Sequence, residues 1–525
     1  MSVRSPGARL ARLGPGGTLP RSALPELGWD DFSVALLDGV AAGQRVAAYF
    51  GVAGRPEVRG ERTTHLHLVL AAAQASTLFA GTTTIAGDRL PALTPRCAEL
   101  HLFEREIAEQ FALALDGHPW PKPVRFSPPF ADLSGAAPSA SPALRPDAAA
   151  RARLPGVVDF YEVQGSEVHE VGVGPVHAGV IEPGHFRFQC HGEAVFHLEI
   201  CLGYQHRGVE RALSGGPDRR SVHYLETVAG DSTIGHATAH AELVEALSGA
   251  RVPPRASAVR AIALELERLA NHVGDLGALA GDVGFLPTAS YCGRIRGDFL
   301  NLSAELCGSR FGRGLVRPGG AAFDLDEALA RRLAERLDRA FADSRSAIEL
   351  LWDTPSVMER FEDIGTVAHQ DALTLALRGP AARASGVDRD VRRDHPSGLY
   401  RMQQIPVSLA DSGDVFARAV VRWLEIQRSV VFVREQLAAL PRGPVRAAAR
   451  DLAPDRIAVA LVEGWRGEIC HVALTDGSGH FERYKIVDPS FQNWSALALA
   501  VRGGQISDFP LTNKSFNLSY CGHDL

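Results

Sequence analysis

From His223 onward, apolar residues recur at i, i+3 and i+4. The pattern runs through "ATAHAELVEALSG", "RASAVRAIALELERLANHVGDLGALAGDVG", "DEALARRLAERLDRAFADSRSAIELLWD" and "DVFARAVVRWLEIQRSVVFVREQLAAL". This spacing keeps one helix face apolar and predicts a bundle. Ahead of it, "VHEVGVGPVHAGVIEPGHFRFQCHGEAVFHLEICLGY" reads as short Gly-rich strands. Behind it, "HVALTDGSGHFERYKIVDPSF" places a "TDGSG" turn between two alternating runs, a hairpin signal. At the N-terminus, "QRVAAYFGV" and "THLHLVLAA" have strand length and "CAELHLFEREIAEQFALAL" has helical spacing. Ser127 to Gly156 is rich in Ala, Pro and Ser and carries neither period, so it reads as a linker. The pattern predicts an α+β chain: a small α+β domain over 1–126, a linker over 127–156, and a mainly helical domain with a β-rich entry and exit over 157–525.

Composition narrows the class. A chain of 525 residues, 46% hydrophobic, buries a large core. Its net charge of -6 has no basic block, which argues against nucleic acid as a partner. The cysteines, Cys97, Cys190, Cys201, Cys292, Cys307, Cys470 and Cys521, contain no C-x-x-C pair and read as buried thiols in a reducing compartment. No apolar run reaches the length of a membrane span, and no apolar stretch follows the basic N-terminus as in a signal peptide.

Candidate chemistry concentrates in histidines and glycine-rich loops. His65 and His67 share a strand face, which alternation on a half-buried sheet explains. His236 and His240 stand four apart on a helix, the spacing of a metal pair, but Ala237 occupies the place of the zincin glutamate and solvated or core-facing rings are the simpler reading. "GVGPVHAGVIEPGH" presents His177 or His185 from a Gly/Pro loop that lacks phosphate-loop spacing. Cys521 and His523 lie within the last five residues.

Several stretches together resemble one family. "LFEREIAEQFALALDGHPWPKPVRF" is similar to the signature of the bacterial complex I C subunit. "GPVHAGV", "GYQHRGVERAL", "GARVPPRASAVRAIALELERLANHVGDLG", "ASGVDRDVRR", "GWRGEICHVALTDGSG" and "DPSFQNWSALA" resemble, in order, the complex I D subunit and the large subunit of group 4 energy-converting [NiFe] hydrogenases such as formate hydrogenlyase. The resemblance covers nearly the whole chain. It implies a C-subunit-like domain fused to a D-subunit-like large subunit, seated on a complex I B-like iron–sulfur small subunit beside antiporter-like and other membrane subunits, on the cytoplasmic face of the inner membrane.

The same resemblance locates the reaction site and shows what this chain lacks there. Laid on the hydrogenase pattern E-R-I-C-G-I-C-S, "ETVAGDSTIGH" puts Ala229 and Ser232 at two nickel-ligand positions. Laid on D-P-C-x-x-C, "SFNLSYCGHDL" puts Ser519 and Gly522 at the others, with Cys521 one residue out of register. Nickel needs soft thiolates, so no cofactor is expected in this chain, and the iron–sulfur clusters belong to partner subunits. For quinone, the loop histidine is kept as His177 and its aspartate partner as Asp282, while the second loop histidine falls on Ile181 and the tyrosine on Gly230. Candidate cavity residues are therefore His177, His185, Asp231, His236 and Asp282, with Arg207 and Glu210 as coupling residues; for each, a purely structural role is the alternative. The expected function is the large subunit of a complex I-like or hydrogenase-4-like oxidoreductase that passes electrons with its iron–sulfur partner and couples this to proton or sodium translocation. The alternatives are a non-catalytic scaffold, and a quinone-reducing or formate hydrogenlyase-type activity with altered ligands.

Overall fold

The computed structural model describes residues 9–14, 16–54, 62–130, 154–177 and 181–525. Most of the linker expected over 127–156 lies outside the described residues. The described residues form an α+β fold around three sheets of three or four strands, two further two-stranded pairs and a helical bundle. The first sheet contains β1 (Ala11–Leu13), β3 (Arg45–Ala53), β4 (Thr63–Ala72) and β5 (Thr77–Ala86) in the order β1-β5-β4-β3, all antiparallel. Helices α1 (Trp29–Ala41) and α2 (His101–Phe111) pack on it. His65 bonds Thr84 Oγ1 through Nδ1 at 2.8 Å, and His67 stacks on Phe50, so both histidines serve the sheet.

A second antiparallel sheet follows, in the order β8-β7-β6, from β6 (Val168–Val173), β7 (His185–His191) and β8 (Ala194–Cys201). The bundle is built from α3 (Thr233–Ser248), α4 (Pro254–Asp282), α5 (Leu286–Cys307), α6 (Glu327–Trp352) and α7 (Val415–Ala438), with α4 packed on both α5 and α7. Local chemistry sets their ends. Pro254 opens α4, where its missing N–H costs nothing. Asp326 and Asp414 cap α6 and α7 by accepting the N–H of Leu329 and Ala417. Gly249 closes α3 at φ 67°, a left-handed conformation that a Cβ disfavours.

The third sheet, β11-β10-β9-β2, holds the molecule together. It consists of β9 (Arg456–Gly464), β10 (Gly467–Thr475), β11 (Phe481–Val487) and, from the far end of the chain, β2 (Thr18–Pro20). The predicted hairpin is β10-β11. Both faces of this sheet are buried. Ile457, Val459, Leu461, Val472 and Leu474 pack into the N-terminal core, whereas Ala458, Ala460, Val462, Ile469 and Ala473 pack into the bundle. Strand alternation therefore sends neighbouring residues to different compartments: Lys485 and Arg483 toward the N-terminal unit, His471 and Tyr484 toward α3. The N-terminal unit and the bundle are thus joined through a shared sheet. The chain ends in α8 (Pro489–Ala500), α9 (Phe509–Phe516) and α10 (Tyr520–Asp524), and Leu525 is 1% exposed.

Candidate functional site

Residues 228–232, at the entry to α3, face residues 517–522. Two arginines hold the segments together. Arg207 donates to the carbonyls of Thr227 (2.7 Å), Val228 (2.9 Å) and Cys521 (3.2 Å). Arg466, on the turn between β9 and β10, grips Asp231 with both ends of its guanidinium and donates through Nε to the carbonyl of Asn517. Its guanidinium lies 3.9 Å from the centroid of the Trp465 ring. A bidentate, stacked arginine fixes orientation as well as charge. Ala229, Ser232, Ser519 and Gly522 are all buried here, while Gly230 is exposed. Ser519 caps α10 by accepting the N–H of Gly522 at 2.9 Å, and its Oγ lies 3.4 Å from Cys521 Sγ. Burial, reinforced by nearby Glu182, pushes the Cys521 thiol up to about 11, so it stays protonated at neutral pH.

The described residues between β6 and β7, 174–177 and 181–184, approach Tyr520 through Gly184. His177 Nε2 bonds the carbonyl of Gly184 at 2.9 Å, and His185 Nδ1 bonds that of Gly174 at 3.2 Å, so each ring pins the loop to itself. Gly184 is required by close approach: a Cβ there would stand 2.6 Å from Cε1 of Tyr520. Residues 178–180 lie outside the described residues, and Val176 and Ile181 on either side of them are exposed.

Behind Gly522 lies a chain of buried polar groups. Asp488 caps α8 through Ser490 N at 2.8 Å and turns its second oxygen to His236 Nε2 at 3.1 Å. His236 Nδ1 faces His471 Nε2 at 3.0 Å, His471 Nδ1 faces the Tyr484 hydroxyl at 2.9 Å, and that hydroxyl meets His240 Nδ1 at 3.1 Å. The i, i+4 pair His236 and His240 thus faces the core and meets strand residues. Burial opposes the Asp488 charge, but His236 and Arg466 overcome it and hold the carboxyl below its usual range. Burial pushes His471 well down, with His236 and His240 adding to it, which keeps it neutral.

Two further ionic clusters flank this chain. Glu210 accepts from Lys485 at 3.0 Å, Arg483 at 2.9 Å and the N–H of Ile486 at 2.9 Å, and Lys485 also donates to Glu106 of α2 at 2.7 Å. Glu106 in turn pairs with Arg125. Glu210 therefore ties the N-terminal unit to β11. On α4, Glu265, Arg268, His272 and Asp275 form one buried stripe that meets α7: His272 Nε2 contacts Glu425 at 2.9 Å and Asp275 pairs with Arg422 at 2.7 Å. Arg383 joins Glu425 to Glu463 at 2.6 and 2.8 Å.

The structure gathers Arg207, Asp231 and His236 around the paired segments, with the His177 and His185 loop at their edge. Asp282 stands apart, exposed on the last turn of α4, where partial desolvation by its neighbours raises its carboxyl and Lys514 opposes the rise. His471, Tyr484, Asp488 and Arg466 are not apparent from the sequence because they lie 234 to 252 positions from Ser232, His236 and His240, which they touch. The polar stripe on α4 did leave a signal: charges at i, i+3, i+7 and i+10 on a helix otherwise apolar on that side.

The family model for the respiratory-chain NADH dehydrogenase 49 kDa subunit matches residues 282–457 and 452–524. The carbon monoxide-induced hydrogenase of Rhodospirillum rubrum is 32% identical over 350 residues, covering 66% of this chain and 97% of that protein. The chain belongs to this 49 kDa subunit and hydrogenase family. Another similar member is NADH-quinone oxidoreductase subunit 4 of Thermus thermophilus, 30% identical over 370 residues, covering 65% of this chain and 90% of its own length. Formate hydrogenlyase subunit 5 of Escherichia coli K12 is 32% identical over 354 residues, 67% of this chain, which spans only 62% of that longer relative. As a family member the chain is a subunit of a complex I-like or hydrogenase-like oxidoreductase. Among the described residues no helix is long and apolar enough to cross a membrane.

Proposed function

We propose that this chain is the large subunit of a membrane-associated, energy-converting oxidoreductase. It sits on an iron–sulfur small subunit and beside antiporter-like membrane subunits, on the cytoplasmic face of the inner membrane, and binds no nickel–iron centre. It takes part in electron transfer with the iron–sulfur partner and couples this to proton or sodium movement. One observation carries the reading: the segments holding the four hydrogenase ligand positions are bridged by Arg207, yet the positions offer Ala229, Ser232, Ser519 and Gly522. Two of these side chains have no donor atom, and a hydroxyl is a poor ligand for a soft metal. Cys521 is a neutral thiol bonded to Ser519. A Cβ at Gly522 would stand 2.7 Å from Cγ of Asp488, so a cysteine there has no room.

Quinone fits less well than in the relatives. The tyrosine position is Gly230, and one nitrogen of His177 is committed to the Gly184 carbonyl. What the site does offer is charge and proton chemistry: Asp231 under Arg466, and His236 against Asp488. Arg207 and Glu210 connect it to the terminal helix and to the N-terminal unit, which supports a coupling role for both.

Metal analysis of the purified complex tests the reading. Iron from the small subunit with nickel well below one per complex is expected, and stoichiometric nickel overturns it. His236→Ala separates catalysis from scaffolding. Assembly with loss of coupled electron transfer is expected, whereas unchanged electron transfer and pumping identifies the chain as a scaffold.

A further inference from the structure

The chain of groups behind Gly522 has a property that a merely satisfied polar core lacks. Asp488, His236, His471, Tyr484 and His240 are each buried, with His236 and His471 at 0% exposure and His240 at 3%. Consecutive members are 3.1, 3.0, 2.9 and 3.1 Å apart. A neutral imidazole donates from one nitrogen and accepts at the other, and a phenol donates once and accepts. With Asp488 ionised, only one arrangement pairs every contact. His240 Nδ1–H donates to the Tyr484 oxygen, Tyr484 O–H to His471 Nδ1, His471 Nε2–H to His236 Nδ1, and His236 Nε2–H to the carboxylate. With Asp488 protonated, the reversed arrangement pairs every contact equally well. The network therefore has two fully bonded polarities, and the one with Asp488 protonated holds a single additional proton.

We propose that these five residues form a proton wire between His240 and Asp488, at the back of the site. One proton enters at His240 Nε2. The Nδ1 proton passes to Tyr484, the Tyr484 proton to His471 Nδ1, the His471 Nε2 proton to His236 Nδ1, and the His236 Nε2 proton to Asp488 Oδ2. Nothing is oxidised or reduced, and the sum is one proton moved. At the receiving end, Asp488 faces Gly522 and accepts the Ser490 N–H under the field of Arg466, which itself pairs with Asp231; Glu210 acts on His471. This deepens the proposed coupling role and rests on it, but it is tested without turnover or knowledge of the electron acceptor.

The test is hydrogen–deuterium exchange into the buried network, followed by infrared difference spectroscopy on the intact complex transferred to D2O at constant pH. The bands that vanish in Asp488→Asn identify the His236–Asp488 pair. In the native complex these bands exchange through the wire. Tyr484→Phe keeps the ring and removes the only hydroxyl link, so exchange at His236 slows by about 100-fold or more while the complex still assembles. Exchange at an unchanged or faster rate in Tyr484→Phe overturns the wire, because a structural loss loosens the core and speeds exchange. If Tyr484→Phe does not assemble, His240→Gln interrupts the outer end, and the same slowing is required of it. Nickel content is indifferent to this result, so the failure of the wire and the failure of the nickel-free reading are told apart.

Discussion

Gly522→Ala is the sharpest probe of how the site is built. The new methyl would lie 2.7, 2.8 and 2.9 Å from Cγ, Oδ1 and Oδ2 of Asp488. Asp488 has little freedom to retreat: one oxygen caps Ser490 N at 2.8 Å, the other faces His236 at 3.1 Å, and the residue is 1% exposed. Overpacking a full core costs about 1–3 kcal/mol. Weakening a hydrogen bond to a charged group costs about 1.5–3 kcal/mol. With the two effects sharing one displacement, a loss of about 3 kcal/mol follows, which for a chain of this length lowers the melting temperature by about 3 °C. Scanning calorimetry measures the shift, and a double-mutant cycle assigns it. In an Asp488→Ala background the methyl meets no carboxylate, so Gly522→Ala costs about 2 kcal/mol less there. A melting temperature unchanged within about half a degree, or an equal cost in both backgrounds, would refute the reasoning. The same crowding predicts that cysteines at 229, 232, 519 and 522 together do not create a nickel site while Asp488 remains in place.

Other expectations follow from the charge clusters. Burial pushes the Glu468 carboxyl up, but Arg45 at 2.8 Å and Arg378 overcome this and hold it at about 2, against an ordinary value of 4.5. A depressed carboxyl stabilises the fold above its unfolded value, so about 3 kcal/mol is present above pH 4.5 and lost as pH falls toward 2. In Glu468→Gln, denaturant melts between those pH values flatten, and neutral stability drops. Lys485→Met removes the cation that Glu106 and Glu210 share and leaves them with Arg125 and Arg483; denaturant unfolding should show a loss of about 1.5–3 kcal/mol, with Glu210→Gln in the same background recovering part of it. Arg207→Met removes three carbonyl contacts, and amide exchange over 520–525 should quicken selectively.

The sequence announced the bundle because its helices carry strong 3.6-residue stripes, and the β10-β11 hairpin because "TDGSG" separates two alternating runs. It hid β2: three residues, Thr18 to Pro20, show no period, and only their pairing with Arg456 to Ala458 makes them a strand. The site was half visible. Asp231 and His236 stood out through their family position, but the partners that give them chemistry, Arg466, His471 and Asp488, come from strands and turns far along the chain. His177 and His185 looked free to reach a cavity, yet one nitrogen of each ring bonds a glycine carbonyl close by, Gly184 and Gly174. Asp282 fits the family pattern in sequence while standing exposed at the end of α4.

The two-faced sheet β11-β10-β9-β2 has a consequence for the chain as a unit of inheritance. One step along β11 separates Tyr484, which belongs to the histidine chain, from Lys485, which belongs to Glu106 and the N-terminal unit. A slip of one residue would exchange a buried hydroxyl for a buried ammonium on both sides, so the register admits no neighbouring solution. Removing the N-terminal unit would bare Ile457, Val459, Leu461, Val472 and Leu474, roughly 10 kcal/mol of apolar burial, together with Lys485 and Arg483. Fragments 1–130 and 154–525 made as separate chains should therefore copurify. For two such halves, covalent fusion is a convenience of synthesis, and the partnership itself is written into alternate residues of a single strand.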